Sequence, residues 1–255
     1  MDRFRYRAVL AYIGTDFHGW QIQRNASRTV QSVLEEALAR FAGESVRAVA
    51  AGRTDAGVHA DGQVVHFDLS RLREPRELRD GVNTLLPRDI RLMHVARAPA
   101  DFNARRDALW KDYLYRWSRA DVIPPRDAPF LATLSRRADA ARMAAAAECL
   151  PGRRDFGVFG VRRPDGGSVR TIHSVRLDER GAEVRALFRG DSFLRGMVRT
   201  ICGLLADIGR GRFPPERMRE ILMSGDRALL AQKAAANGLT LVKVEYPKQV
   251  YSTAS

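Results

Sequence analysis

From Phe4 to Ile13 apolar and basic residues alternate, with Phe4, Tyr6, Ala8 and Leu10 set against Arg3, Arg5 and Arg7. A period of two is that of a strand with one face in a core. After a loop to Arg28 the period lengthens. Val30, Val33, Leu34, Ala37, Leu38 and Phe41 recur at helical spacing, Thr29 stands ahead of them as an N-cap, and Gly43 is placed to end the helix. Val46 to Ala51 and the β-rich run Gln63-Val64-Val65-His66-Phe67 read as two strands. Pro75 to Leu86 reads as a helix with Leu78, Val82, Leu85 and Leu86 on its apolar side, and Ile90 to Ala96 as a strand. The order strand-helix-strand-strand-helix-strand is the split ferredoxin-like pattern.

The second half repeats that order with additions and without any repeat of sequence. A strand is expected from Leu109 to Trp117, an Ala-rich helix from Ala138 to Leu150, and strands at Val169 to Leu177 and Glu183 to Arg189. A long helix from Phe193 to Ile208, shorter ones at Pro214 to Met223 and Arg227 to Ala236, and a strand from Leu239 to Tyr246 follow. The fold class expected is therefore α+β, two ferredoxin-like (βαββαβ) halves joined into one mostly antiparallel sheet with helices on one face and a central cleft. Joining the halves edge to edge hides exposed strand edges. The expected domains are 1–107 and 108–255, with the boundary between Arg106 and Lys111. Pro124-Pro125, Pro151-Gly152 and Pro164-Asp165-Gly166-Gly167 mark loops, and the polar stretch from Lys248 to Ser255 reads as a disordered tail.

At 255 residues the chain is near the size at which one core becomes two. Lys plus Arg outnumber Asp plus Glu by 43 to 30, a net charge of +13, which makes nucleic acid the leading class of partner. Only four of the basic residues are lysines, so a codon-driven excess of arginine remains open beside selection for binding. The N-terminus has no uninterrupted apolar segment and no apolar run reaches the length of a membrane span, so a cytoplasmic protein with no membrane association is expected. Cys149 and Cys202 have no His or Cys neighbours at zinc spacing, and His18, His59, His66, His94 and His173 are scattered. Neither a metal nor a cofactor is expected.

The chemistry concentrates in Gly52-Arg53-Thr54-Asp55-Ala56-Gly57-Val58-His59-Ala60, an Asp between two glycines with an Arg two residues ahead of it. Glycines on both sides let the backbone take positive φ and approach a ligand closely, so Asp55 reads as a working carboxylate. The segment resembles the catalytic signature of the bacterial tRNA pseudouridine synthase A family, Gly-Arg-Thr-Asp-Ala-Gly-Val-His, without a change. That resemblance implies Asp55 as the catalytic aspartate. It also implies that Arg53 enters the RNA and helps displace the target base, where the residues alone give a loop charge.

Two further segments carry the resemblance. Phe193-Leu194-Arg195-Gly196-Met197-Val198-Arg199 is similar to the family's Phe-Leu-x-x-Met-Val-Arg helix, which implies that Arg199 pairs with the catalytic aspartate; spacing alone gives a surface helix arginine. Phe102-Asn103-Ala104-Arg105, followed by Lys111-Asp112-Tyr113-Leu114-Tyr115, resembles the family's Phe-x-Ala-Arg and Lys-x-Tyr-x-Tyr, implying Tyr113 as the substrate-contacting tyrosine. On a strand Tyr113 and Tyr115 face one side, and by pattern alone either is a core or sheet-surface aromatic. Ile13 departs from an acidic residue common in the family, and Ala234-Ala235-Ala236-Asn237 lacks a proline often found before Gly-Leu.

Forming pseudouridine breaks the N1–C1′ bond of uridine, turns the uracil and rejoins it through C5. That demands an ionised carboxylate, a platform for the loose base and a way to extract the nucleotide from its stack. A cation at ~4 Å, at an effective dielectric near 20, contributes about 4 kcal/mol to keeping a carboxylate charged, and arginine suits the task because it stays protonated. Addition at uracil C6, attack at C1′ and removal of a ribose 2′ proton each use one such carboxylate, and the residues leave all three open. An aromatic ring stacked on the uracil adds ~1 to 3 kcal/mol. The resemblance implies isomerisation of uridine at positions 38, 39 and 40 in the anticodon arm of tRNA by a homodimer. Arg153, Arg154, Arg162, Arg163, Arg210 and Arg212, in or beside expected loops, are candidates for a phosphate track. The rival readings are a non-catalytic RNA-binding module of the RRM type, for which no convincing aromatic strand motif is present, and a uridine-modifying enzyme acting on another RNA.

Overall fold

The computed structural model describes residues 3–23, 28–161 and 167–248. The fold is mixed α and β, with five α-helices among the described residues and a mostly antiparallel sheet, as the alternation of elements leads one to expect. The chain forms two compact units, residues 1–109 with 241–255, and residues 110–240.

The first unit runs β1 (Phe4–Tyr12), α1 (Val30–Ala42), β2 (Val49–Ala50), β3 (His59–Leu69), α2 (Pro75–Leu85) and β4 (Ile90–Arg97). β1 lies between β4 and β3 and is antiparallel to both, with β2 paired to the far side of β3. The register puts Tyr6 opposite Phe67, and their rings stack at 5.8 Å. Tyr6, Ala8 and Leu10 are fully buried, as the alternation in the sequence requires. α1 begins where the sequence places it: the Thr29 side chain accepts from the Ser32 amide, the Ser32 hydroxyl accepts from the Thr29 amide, and Gly43 closes the helix at φ +71°. Such a cap is worth about 1 kcal/mol, and the burial of Leu34 and Leu38 adds about 1.5–3 kcal/mol each. The C-terminal segment is tied to the same unit: the Tyr246 hydroxyl donates to the Ala104 carbonyl, and its ring meets Phe102 edge-on at 5.3 Å.

The second unit contains β5 (Trp110–Ser118), β6 (Ala132–Thr133), α3 (Ala140–Ala147), β7 (Gly152–Asp155), β8 (Val169–Arg180), β9 (Glu183–Gly190), α4 (Met197–Gly209) and α5 (Arg217–Ser224). The chain then returns to the first unit along β10 (Leu239–Glu245). The antiparallel order is β5-β9-β8-β7, with β6 parallel to β5. β7 starts at Gly152, in a stretch the sequence marks as loop, and all four of its residues are exposed. Arg153 and Arg154 therefore stand on an edge strand, while Arg210 and Arg212 both bind the Asp207 carboxylate, at 3.1 and 3.0 Å. Arg162, Arg163, most of the Pro164–Gly167 loop and the tail beyond Lys248 lie outside the described residues.

Two helices differ from expectation. α4 starts at Met197 instead of Phe193, because Gly196 takes φ +78° and breaks the helical run ahead of it. The expected helix over Arg227 to Ala236 does not form: a 3-10 turn spans Arg227–Leu229 and the chain continues without helix to a second at Ala236–Gly238. The intervening backbone spends its hydrogen bonds on α4. The Ala234 amide donates to the Arg199 carbonyl at 3.0 Å, and a Cβ on Gly203 would lie 2.0 Å from the Gln232 carbonyl oxygen, so the glycine makes room for this close crossing. Intrinsic helix propensity in an alanine-rich stretch yields to a tertiary contact.

Candidate active site

Asp55 sits on the loop between β2 and β3 in the first unit, half-buried, and the loop is held at almost every residue. The Gln63 amide, fully buried, donates to the Gly52 carbonyl at 2.8 Å. The Trp20 amide donates to the Thr54 carbonyl at 3.1 Å, the Gly57 amide to the Phe17 carbonyl at 3.3 Å, and the Val58 amide to the Asp55 carbonyl at 3.2 Å. This last bond closes a four-residue turn whose third position is Gly57 at φ +77°, a conformation that favours glycine. Beneath it the hydroxyls of Thr54 and Tyr12 share a hydrogen bond of 2.8 Å.

The segment from Gly14 to Trp20 braces the loop from outside. Gly14 donates its amide to His59 Nδ1 at 3.0 Å, and a Cβ there would stand 2.1 Å from the Val58 carbonyl oxygen. Gly19, at φ +83°, also packs on the loop, where a Cβ would stand 2.8 Å from the Thr54 carbonyl oxygen. Trp20 and Phe17 are buried, and the Gly19 and Trp20 carbonyls accept from the Val30 and Gln31 amides at the start of α1, which satisfies two of the helix's unpaired donors. Arg28 completes the brace: it grips Asp89 through two bonds of 2.8 and 2.9 Å with its guanidinium 4.1 Å from the centre of the Phe17 ring. Arg53 shares the Asp55 loop but is exposed, and its guanidinium has no ion-pair partner among the described residues.

Tyr113 and Arg199 belong to the second unit. Tyr113, on β5, is 7% exposed, and its ring meets Phe193 edge-on at 5.2 Å, so two of the segments singled out in the sequence touch here. The choice between Tyr113 and Tyr115 that the strand pattern left open is narrowed by packing. Tyr115 is fully buried, covers Gly238, donates its hydroxyl to the Ala235 carbonyl at 2.8 Å, and has its pKa driven far up by burial, all marks of a core residue. Arg199 is the one residue of α4 that is not buried. Its Nε donates to the Ala234 carbonyl at 2.9 Å, which fixes the plane of the guanidinium.

Sequence reading missed the supports: Tyr12, Gln63, His59, the Arg28–Asp89 pair and the two close-packed glycines. Tyr12 and Thr54 are 42 positions apart and Arg28 and Asp89 are 61 apart, so no local pattern joins them. Among the described residues no three His, Cys, Asp or Glu side chains gather as ligands for a metal, and no helix is long and apolar enough to cross a membrane.

A rigid acidic turn on an α+β frame, beside an exposed arginine in a strongly basic chain, has the features of an enzyme that acts on RNA. Comparison with known proteins makes the class definite. The profile of the tRNA pseudouridine synthase family matches residues 8–106 and 146–247. Among curated relatives, tRNA pseudouridine synthase A of Methylobacterium nodulans is 42% identical over 255 residues, covering 97% of this chain and 98% of the relative. That of Listeria welshimeri is 40% identical, covering 95% and 99%, and that of Alcanivorax borkumensis 41% identical, covering 94% and 90%. The chain belongs to the tRNA pseudouridine synthase family, and is an isomerase that takes tRNA as its substrate.

Proposed function

We propose that this enzyme converts uridine to pseudouridine at positions 38, 39 and 40 in the anticodon arm of tRNA, acting as a cytoplasmic homodimer. Asp55 is the catalytic carboxylate, Arg199 its ion-pair partner, Tyr113 the aromatic contact to the uracil, and Arg53 the residue that enters the RNA beside the displaced nucleotide. The observation that carries the reading is the Asp55 turn, bound through its neighbours' carbonyls and amides while the carboxylate sits half-buried next to an exposed arginine. A preorganised charge of this kind needs no reorganisation when the glycosidic bond opens.

The reaction balances within the nucleotide. The N1–C1′ bond breaks, the uracil turns, a C5–C1′ bond forms, C5 loses its proton and N1 gains one, so no redox partner or activated phosphate is consumed. The net charge of +13 supports a polyanionic substrate gathered by long-range attraction. Mapping pseudouridine in total RNA from a deletion strain tests the substrate. Loss confined to positions 38 to 40 of tRNA is expected; intact anticodon arms with losses in ribosomal or messenger RNA overturn the assignment.

A further inference from the structure

The Asp55 turn is fixed on its outer side by backbone bonds, but from inside the core it is held by side chains that the reaction itself does not require. Tyr12 is the last residue of β1 and is 4% exposed. Its position depends on an irregularity in the sheet: Leu10 pairs with Gln63 but Tyr12 pairs with Ala60, so Asp61 and Gly62 of β3 together face Ala11. The extra residue is a bulge, a feature that bends the strand and re-aims the side chains beside it. Gly62 fits there because it has no side chain: a Cβ would stand 2.4 Å from the Val242 carbonyl oxygen. Next to the bulge, the Tyr12 hydroxyl meets Thr54 Oγ1 at 2.8 Å, and Gln63, wholly buried, reaches the Gly52 carbonyl at 2.8 Å. Thr54 is itself 7% exposed, with Asp55 next in the chain.

We infer that Tyr12, acting through Thr54, is a positioning residue for the pseudouridine-forming reaction: its hydroxyl fixes the rotamer of Thr54 and thereby the direction of the Asp55 carboxylate. The inference rests on Asp55 being the catalytic carboxylate. Tyr12 is not a proton donor to the substrate. Burial pushes its pKa up to about 12, against the downward pull of the Thr54 hydroxyl and the Gln63 amide, so the phenol stays neutral across the working range. A neutral, buried hydroxyl set between the side chains of Thr54 and Gln63 holds geometry, and a misplacement of about 1 Å at a reacting group can cost 10²-fold in rate.

The test is a double-mutant cycle on purified enzyme, read as kcat, KM, tRNA affinity and melting temperature, with turnover followed by tritium release from tRNA labelled at uridine C5. Tyr12→Phe lowers kcat about 10- to 100-fold while tRNA affinity stays within about twofold and the apparent pKa of the acid limb of the pH profile does not move. Thr54→Val gives a fall of the same order, Thr54→Ser recovers most of it, and Tyr12→Phe with Thr54→Val together lose about what Tyr12→Phe loses alone, because the Tyr12–Thr54 bond is already gone in that variant. Wild-type kcat in Tyr12→Phe, independent and multiplying losses in the double variant, or a fall in kcat matched by an equal loss of tRNA affinity, overturns the inference. Asp55→Asn is run alongside. Turnover in that variant removes Asp55 from its role, whereas an inert Asp55→Asn with a fully active Tyr12→Phe removes Tyr12 alone.

Discussion

Gly19 packs so tightly on Thr54 that a Cβ on the glycine would lie 2.8 Å from the Thr54 carbonyl oxygen, and its φ of +83° belongs to the left-handed region. Both facts forbid a side chain at the point where the outer segment meets the Asp55 loop. Gly19→Ala is expected to lower stability by more than about 1 kcal/mol in urea unfolding and to lower kcat beyond what the folded fraction explains. An alanine variant with wild-type stability and turnover shows that the loop has slack the geometry does not suggest.

Gly203 does the corresponding work in the second unit, where the 232–234 segment crosses α4 and Arg199 holds the Ala234 carbonyl. Gly203→Ala forces that segment away, at about 1–3 kcal/mol of stability, and takes the guanidinium's anchor with it. Turnover should fall with stability. Restoring folding with a stabilising co-solvent should then leave turnover low if the orientation of Arg199 matters; complete recovery says that it does not.

Much of this was written in the sequence. The period of α1, with Thr29 ahead and Gly43 behind, marks both ends because capping is local chemistry. The Asp55 loop is legible because nine consecutive residues carry it. The absent helix at 227–236 and the late start of α4 were hidden for one reason: periodicity and propensity report what a segment does alone, while Gly203 and Gly196 act through neighbours or through a dihedral that pattern does not reveal. The same holds for Tyr12 and Gln63, whose partners are brought near by strand pairing and a bulge.

His66 makes folding pH-dependent. It is buried, its Nδ1 accepts from the Ala104 amide at 3.1 Å, and burial, helped by Arg5 and Arg106 and opposed by Asp68 and Asp107, lowers its pKa from the usual 6.5. The unfolded chain therefore takes up a proton before the folded one does. The His66 contribution is intact above about pH 6.5 and is lost as the pH falls below that value, with a slope of at most about 1.4 kcal/mol per pH unit. Urea melts between pH 8 and 5 should show the decline, and His66→Gln should flatten it; an unchanged slope excludes His66 as its source.

Arg53 stands exposed beside Asp55. If it meets RNA, Arg53→Ala weakens tRNA binding and reduces the slope of log K against log salt by about 1. Binding measured from 50 to 200 mM salt decides this, and an unaltered slope together with unaltered turnover assigns Arg53 to the solvent.

In the proposed function the reaction chemistry stands on the carboxylate of Asp55. Asp55→Asn keeps the size and the loop, so single-turnover tritium release from tRNA labelled at uridine C5, with tRNA affinity measured on the same preparation, isolates the charge. Binding within about twofold of wild type with no release above background is the expected result. Release at a substantial fraction of the wild-type rate means that another group opens the glycosidic bond.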